Sequence, residues 1–209
     1  MPGNDEGNKL YYQPENNRKA GFHPMVKNDV WIRTKAAQGM IEPFNQDQVR
    51  KGVISSGVGS YGYDMRIADE FRILRPASGI VIDPKNFDAV CMEDFKGDIC
   101  EVPANSYVIC RSLEYFRIPR ETLAICFGKS TYARSGVIVN VTPLEPEWEG
   151  YITISVSNTA PVPVRLYANE GIGQVVFLGT DEICQTSYAD KKGKYQAQKG
   201  IVLSKVDSR

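Results

Sequence analysis

Imidazole is almost missing from this chain of 209 residues: the one histidine is His23. A Ser-His-Asp triad needs an imidazole held between two partners, and His23 lies in an irregular stretch that offers none, so it reads as a surface residue. A catalytic zinc of the His-x-Glu and Pro-Cys-x-x-Cys kind needs thiolates and an imidazole converging on one metal, and there is no Cys-x-x-Cys here. No zinc or other protein-held metal is expected. The five cysteines, Cys91, Cys100, Cys110, Cys126 and Cys184, are odd in number and widely spaced. Three of them lie in or beside apolar runs, where they read as small buried hydrophobes without chemistry. There is neither a signal-peptide pattern nor an apolar run approaching about 18 residues, which points to a reducing, cytoplasmic setting away from membranes. Twenty-five basic and twenty-five acidic residues cancel, so no general field attracts nucleic acid and any phosphate binding must be local. Gly128-Lys129-Ser130 has the end of a P-loop but not its first glycine, since position 123 is Leu.

What is present is enough apolar residue, 42%, for one sizeable core. Residues 1–27 lack periodicity and read as an arm that docks on a neighbour, followed by one domain over 28–209. Asn28 or Asp29 caps a helix from Val30 to Gln38 that Gly39 ends, and a second short helix is expected over 47–51. Beyond Gly52 come closely spaced runs of period two or continuous apolar character: 61–67, 70–74, 79–82, 98–102, 107–111, 114–118, 123–127, 137–141, 151–157, 162–167, 173–178 and 184–188. A dozen short strands predict a mainly β domain, a barrel or a jelly-roll-like sandwich, with a few short helices. No internal repeat is evident.

The chain is organised around 123–174, where two apolar β-branched runs flank Gly128-Lys-Ser-Thr-Tyr-Ala-Arg134-Ser-Gly136 and a strictly alternating run follows the acidic turn Glu145-Pro-Glu-Trp-Glu-Gly150. Ser130 and Arg134, four apart, share a face of one helical turn, and free N–H groups at its start make an anion cradle. The same residues also read as a capped turn with a solvated Lys and Arg.

Eight segments together carry a family resemblance: Ser60-Tyr-Gly-Tyr-Asp-Met-Arg66, Ile82-Asp-Pro-Lys-Asn-Phe87, Glu114-Tyr-Phe-Arg-Ile-Pro119, Gly128 to Arg134, Asn140-Val-Thr-Pro143, Glu145 to Gly150, Tyr167-Ala-Asn-Glu-Gly171 and Gly193-Lys-Tyr-Gln-Ala-Gln198. In order and spacing, from Val30 to Val202, the chain resembles the bacterial and phage dCTP deaminases of the dUTPase-like superfamily. The resemblance implies a homotrimer with active sites between subunits, and hydrolytic deamination of dCTP to dUTP without zinc. It implies that Lys129, Ser130 and Arg134 are phosphate and catalytic-pocket residues and that Val141 and Thr142 read the pyrimidine. Tyr188, Lys194 and Gln198 then resemble a C-terminal segment closing over a triphosphate with its bound Mg²⁺, although Tyr188 reads equally as a packed strand-end aromatic.

One position departs from the pattern. Where the family has Thr-Leu-Glu seven residues beyond the Trp, this chain has Thr153-Ile154-Ser155. Period two keeps Ser155 with Tyr151, Thr153 and Ser157 on the polar face of its strand. The family glutamate is implied to be the general base, a role that a hydroxyl without an imidazole does not fill near neutral pH, so Ser155 marks a missing proton carrier. Glu145, Glu147 and Glu149 in the preceding turn are the available substitutes. The expectation is a nucleotide-binding protein that is catalytically silent and sequesters or senses dCTP, dUTP or a nucleotide signal. The alternatives are a working dCTP deaminase with a displaced base and a structural subunit beside an active paralogue.

Overall fold

The computed structural model describes residues 25–75 and 79–206. The arm expected over 1–27, His23 included, lies outside the described residues except for its last three. Helix α1 (Asp29–Ala36) forms where its caps predict: Asn28 Oδ1 accepts from the Trp31 N–H at 3.1 Å, and Gly39 takes the left-handed φ of +89° just beyond the helix. It lies outside the sheet, burying Ile32 and Ala36, with the Trp31 ring 5.7 Å from that of Phe177.

Eleven strands follow among the described residues: β1 (Ile41–Glu42), β2 (Gly57–Gly59), β3 (Gly62–Leu74), β4 (Met92–Lys96), β5 (Ile99–Val102), β6 (Ser106–Arg117), β7 (Thr122–Gly128), β8 (Val137–Asn140), β9 (Glu149–Asn158), β10 (Val164–Tyr167) and β11 (Gly171–Gly179). Nine of them form one antiparallel sheet whose path runs β7-β11-β3-β6-β9-β8, while β10 pairs with β5. The mainly β expectation stands. The core lies between the inward rows of these strands, including Met65, Phe71, Phe116, Ile152, Ile154, Val175 and Phe177.

Two long strands, β3 and β6, each appear in the sequence as two short ones because register shifts interrupt their alternation, between Ile67 and Phe71 in one and Arg111 and Tyr115 in the other. The second bend is filled by polar groups. The Ser112 hydroxyl donates to the Glu114 carbonyl at 2.6 Å and accepts from the Ile152 N–H at 2.8 Å. The fully buried Glu114 carboxylate takes Arg66 Nε at 2.7 Å and the Tyr63 hydroxyl at 3.2 Å. Burial pushes that carboxyl upward against the pull of Arg66.

Three expected elements do not form. Residues 47–51 make no helix, since the backbones of Val49 and Ser56 bond each other in both directions. Residues 79–82 make no strand and leave Val81 exposed. Residues 184–188 turn instead, with Ser187 and Asp190 bonding reciprocally. The cysteine reading holds: Cys91, Cys100, Cys110 and Cys126 are free and buried, and desolvation pushes the Cys126 thiol up to about 12.

Candidate functional site

Between β7 and β8 the chain makes a single helical turn, α2 (Ser130–Ala133). Tyr132 faces inward and is buried, and its hydroxyl accepts from the Tyr167 N–H at 3.2 Å; burial pushes it up to about 12. With Tyr132 as the anchor, Ser130 and Arg134 fall on the open side and both are exposed. Among the described residues Arg134 bonds only its own turn, at the Ser130 carbonyl (3.2 Å).

Lys129 is different. Its side chain is 11% exposed and its ammonium lies 2.6 Å from Asp64 Oδ2 and 2.9 Å from Ser55 Oγ. Gln48 and Gln174 donate to the same carboxylate, at 2.8 and 3.3 Å. Breaking a buried pair of this kind from one side costs about 3–5 kcal/mol. This cluster escapes a reading of the sequence because Asp64 and Lys129 stand far apart along the chain. The available signal is an acid inside the apolar run Tyr63-Asp64-Met65, which has to find a partner.

Ser155 stands where period two places it. The odd positions Tyr151, Thr153, Ser155 and Ser157 are half-buried, while Ile152, Ile154 and Val156 are buried. Its cross-strand neighbours are Ile109 on β6 and Asn140 on β8. Half-buried Val141 and exposed Thr142 continue from Asn140 beyond the end of β8. The turn glutamates are committed elsewhere: Glu145 pairs with Lys191, Glu147 with Arg120 at 2.6 Å and Glu149 with Arg117 at 3.7 Å. Glu149, the nearest of them along the strand, is six residues from Ser155, about 20 Å at roughly 3.3 Å per residue. Within one protomer they do not replace a carboxylate at position 155.

The C-terminal residues dock on β9 of their own chain. Gln198 is buried, bonding the Tyr151 carbonyl at 3.3 Å and Thr153 Oγ1 at 3.5 Å, two residues from Ser155 on the same face. Tyr188 is half-buried, and its hydroxyl accepts from the Tyr195 N–H at 3.1 Å. Lys194 is exposed and donates to the Lys205 carbonyl at 2.8 Å. The expected residues thus form two groups, one on α2 and one along β9. Among the described residues no hydrogen bond or ion pair joins the two groups, and no set of three or more His, Cys, Asp or Glu side chains is placed to hold a metal.

The model of the dCTP deaminase-like family matches residues 26–180. This chain belongs to that family. The dCTP deaminase of Nautilia profundicola is 61% identical over 184 residues, covering 87% of this chain and 98% of its own length. That of Campylobacter hominis is 59% identical over 182 residues, covering 87% and 96%. The crystal structure of the 2'-deoxycytidine 5'-triphosphate deaminase of Agrobacterium tumefaciens matches 75% of this chain with a TM-score of 0.58 at 12% identity, which concerns the fold; this chain spans 48% of its length.

Relatives this similar, along nearly their whole length, are named for an enzymatic activity. That contradicts the expectation of a silent nucleotide-holding protein and favours the alternative of a working deaminase. The expectation weighed Ser155 only against the role of a terminal base, which a hydroxyl does not fill. A hydroxyl donates and accepts at once and can hand a proton on without storing it.

Proposed function

We propose that the chain is a dCTP deaminase, converting dCTP and water to dUTP and ammonia. The observation that carries the reading is the identity of 61% over 184 residues to a dCTP deaminase, nearly end to end. Water oxygen bonds to C4 of the cytosine ring, one water proton goes to N3, and the other leaves with the amine as ammonia. On this reading Ser155 relays: its hydroxyl accepts a proton from the attacking water while passing its own onward, with Asn140 beside it on β8 and Val141 and Thr142 bordering the pyrimidine.

Ser130 and Arg134 bind the phosphates, Arg134 through a guanidinium with no acidic partner among the described residues. Lys194 and Tyr188 come from the segment that closes over them. A Mg²⁺ of the kind the resemblance implies would arrive with the triphosphate, would take oxygen donors from it and from water, and would neutralise part of its charge. We infer that a second copy completes each pocket in a homotrimer, the arrangement that the resemblance to the family implies. Phe127 and Ile138, 57% and 56% exposed on either side of α2, supply apolar surface for such a contact. The direct test is incubation of the purified chain with dCTP and chromatography of the nucleotide. Formation of dUTP is expected, and dCTP returned intact overturns the reading.

A further inference from the structure

Asp64 has no part in the chemistry described so far, yet three donors from three other segments converge on its nearly buried carboxylate: Lys129 at 2.6 Å, Gln48 at 2.8 Å and Gln174 at 3.3 Å. Its neighbours Tyr63 and Met65 are fully buried, and Gln174 faces it in register on β11. An ammonium has three N–H groups. Asp64 and Ser55 take two from Lys129, leaving one uncommitted among the described residues on a side chain that keeps 11% of its surface open. The backbone is tied as well, the Lys129 N–H donating to the Ile172 carbonyl at 3.1 Å. The stem has no slack: a Cβ on Gly171 would come within 3.1 Å of Lys129 Cδ and 1.9 Å of the Ser55 carbonyl oxygen. Lys129 is also the residue on which α2 begins, immediately before Ser130.

We propose that Asp64 is a positioning residue for triphosphate recognition. By holding the Lys129 ammonium against β3 it fixes the start of α2. The remaining Lys129 N–H and the Ser130 and Arg134 side chains then meet phosphate oxygens as one set. The proposal rests on reading α2 as the phosphate site. An ion pair kept for stability alone has little advantage over apolar residues of the same volume; this pair lies next to the residues that need a fixed direction.

The test compares native protein with Asp64→Asn, Asp64→Glu, Lys129→Met and the Asp64→Asn/Lys129→Met double variant. Each is measured for dCTP and deoxycytidine affinity by equilibrium dialysis, for thermal melting and for dUTP formation. Asp64→Asn is expected to weaken dCTP binding tenfold or more while deoxycytidine affinity stays within about twofold. In the Lys129→Met background the same change should alter dCTP affinity less than twofold, because its lever is gone. Should the unpaired ammonium stop Asp64→Asn from folding, Asp64→Glu keeps the charge, displaces it by one methylene and is expected to show the same selective loss. Native dCTP affinity in a folded Asp64 variant that merely melts earlier overturns the proposal, as does additivity of the two single changes. If the native chain binds dCTP but forms no dUTP, the deaminase reading fails, and the affinities still decide the role of Asp64.

Discussion

Arg134 and Lys129 stand five residues apart on one turn and carry the same charge, but their surroundings separate their roles. Arg134 is exposed and has no ion pair among the described residues, so Arg134→Ala is expected to weaken dCTP binding by about 1.5–3 kcal/mol, roughly 10- to 150-fold. Exposed charges add little to folding, so its melting temperature should stay near native, which titration calorimetry and a melt check together. At Ser155 the expected outcome is a rate effect: Ser155→Ala lowers kcat by about 10²-fold or more and leaves dCTP affinity nearly unchanged, as single-turnover kinetics and dialysis would report. The orientation of Ser155 was legible in the sequence because a strand has a period of two and its neighbours are β-branched. The partnership of Lys129 with Asp64 was not, since strand pairing across the sheet, and no local pattern, brings them together.

Among the elements, the predictable ones carry their own punctuation: α1 has Asn28 and Gly39, and β8 and β9 run uninterrupted between turns. The long strands β3 and β6 are harder to read, because a bulge resembles a strand end until its polar filling is seen. That filling gives a stability prediction. Ser112→Ala removes the acceptor of the buried Ile152 N–H and should cost about 1–3 kcal/mol in urea unfolding, without a change in the slope against denaturant. Strand β4 went unread for another reason. Its Met-Glu-Asp-Phe-Lys sequence lacks an apolar row, and it is held on β3 partly by ion pairs such as Arg72 with Asp94 at 2.9 Å.

At the scale of the whole molecule, the proposal is a homotrimer whose pockets lie between copies. A solution mass about three times 23.3 kDa is expected by light scattering, and a mass of one chain would contradict the shared-pocket arrangement. The element that carries each group could be read from the sequence; the approach of β7 to β8, at opposite ends of the sheet path, could not, yet a Cβ on Gly128 would come within 3.3 Å of Val139 Cβ. Hydrolysis at C4 of the pyrimidine is the proposed chemistry. The most direct measurement is reaction of the purified chain with dCTP in ¹⁸O-labelled water, followed by mass spectrometry of the nucleotide and assay of ammonia. The result predicted is dUTP carrying one ¹⁸O on the base, with one ammonia released per nucleotide. Unlabelled, unconverted dCTP with no ammonia would contradict it.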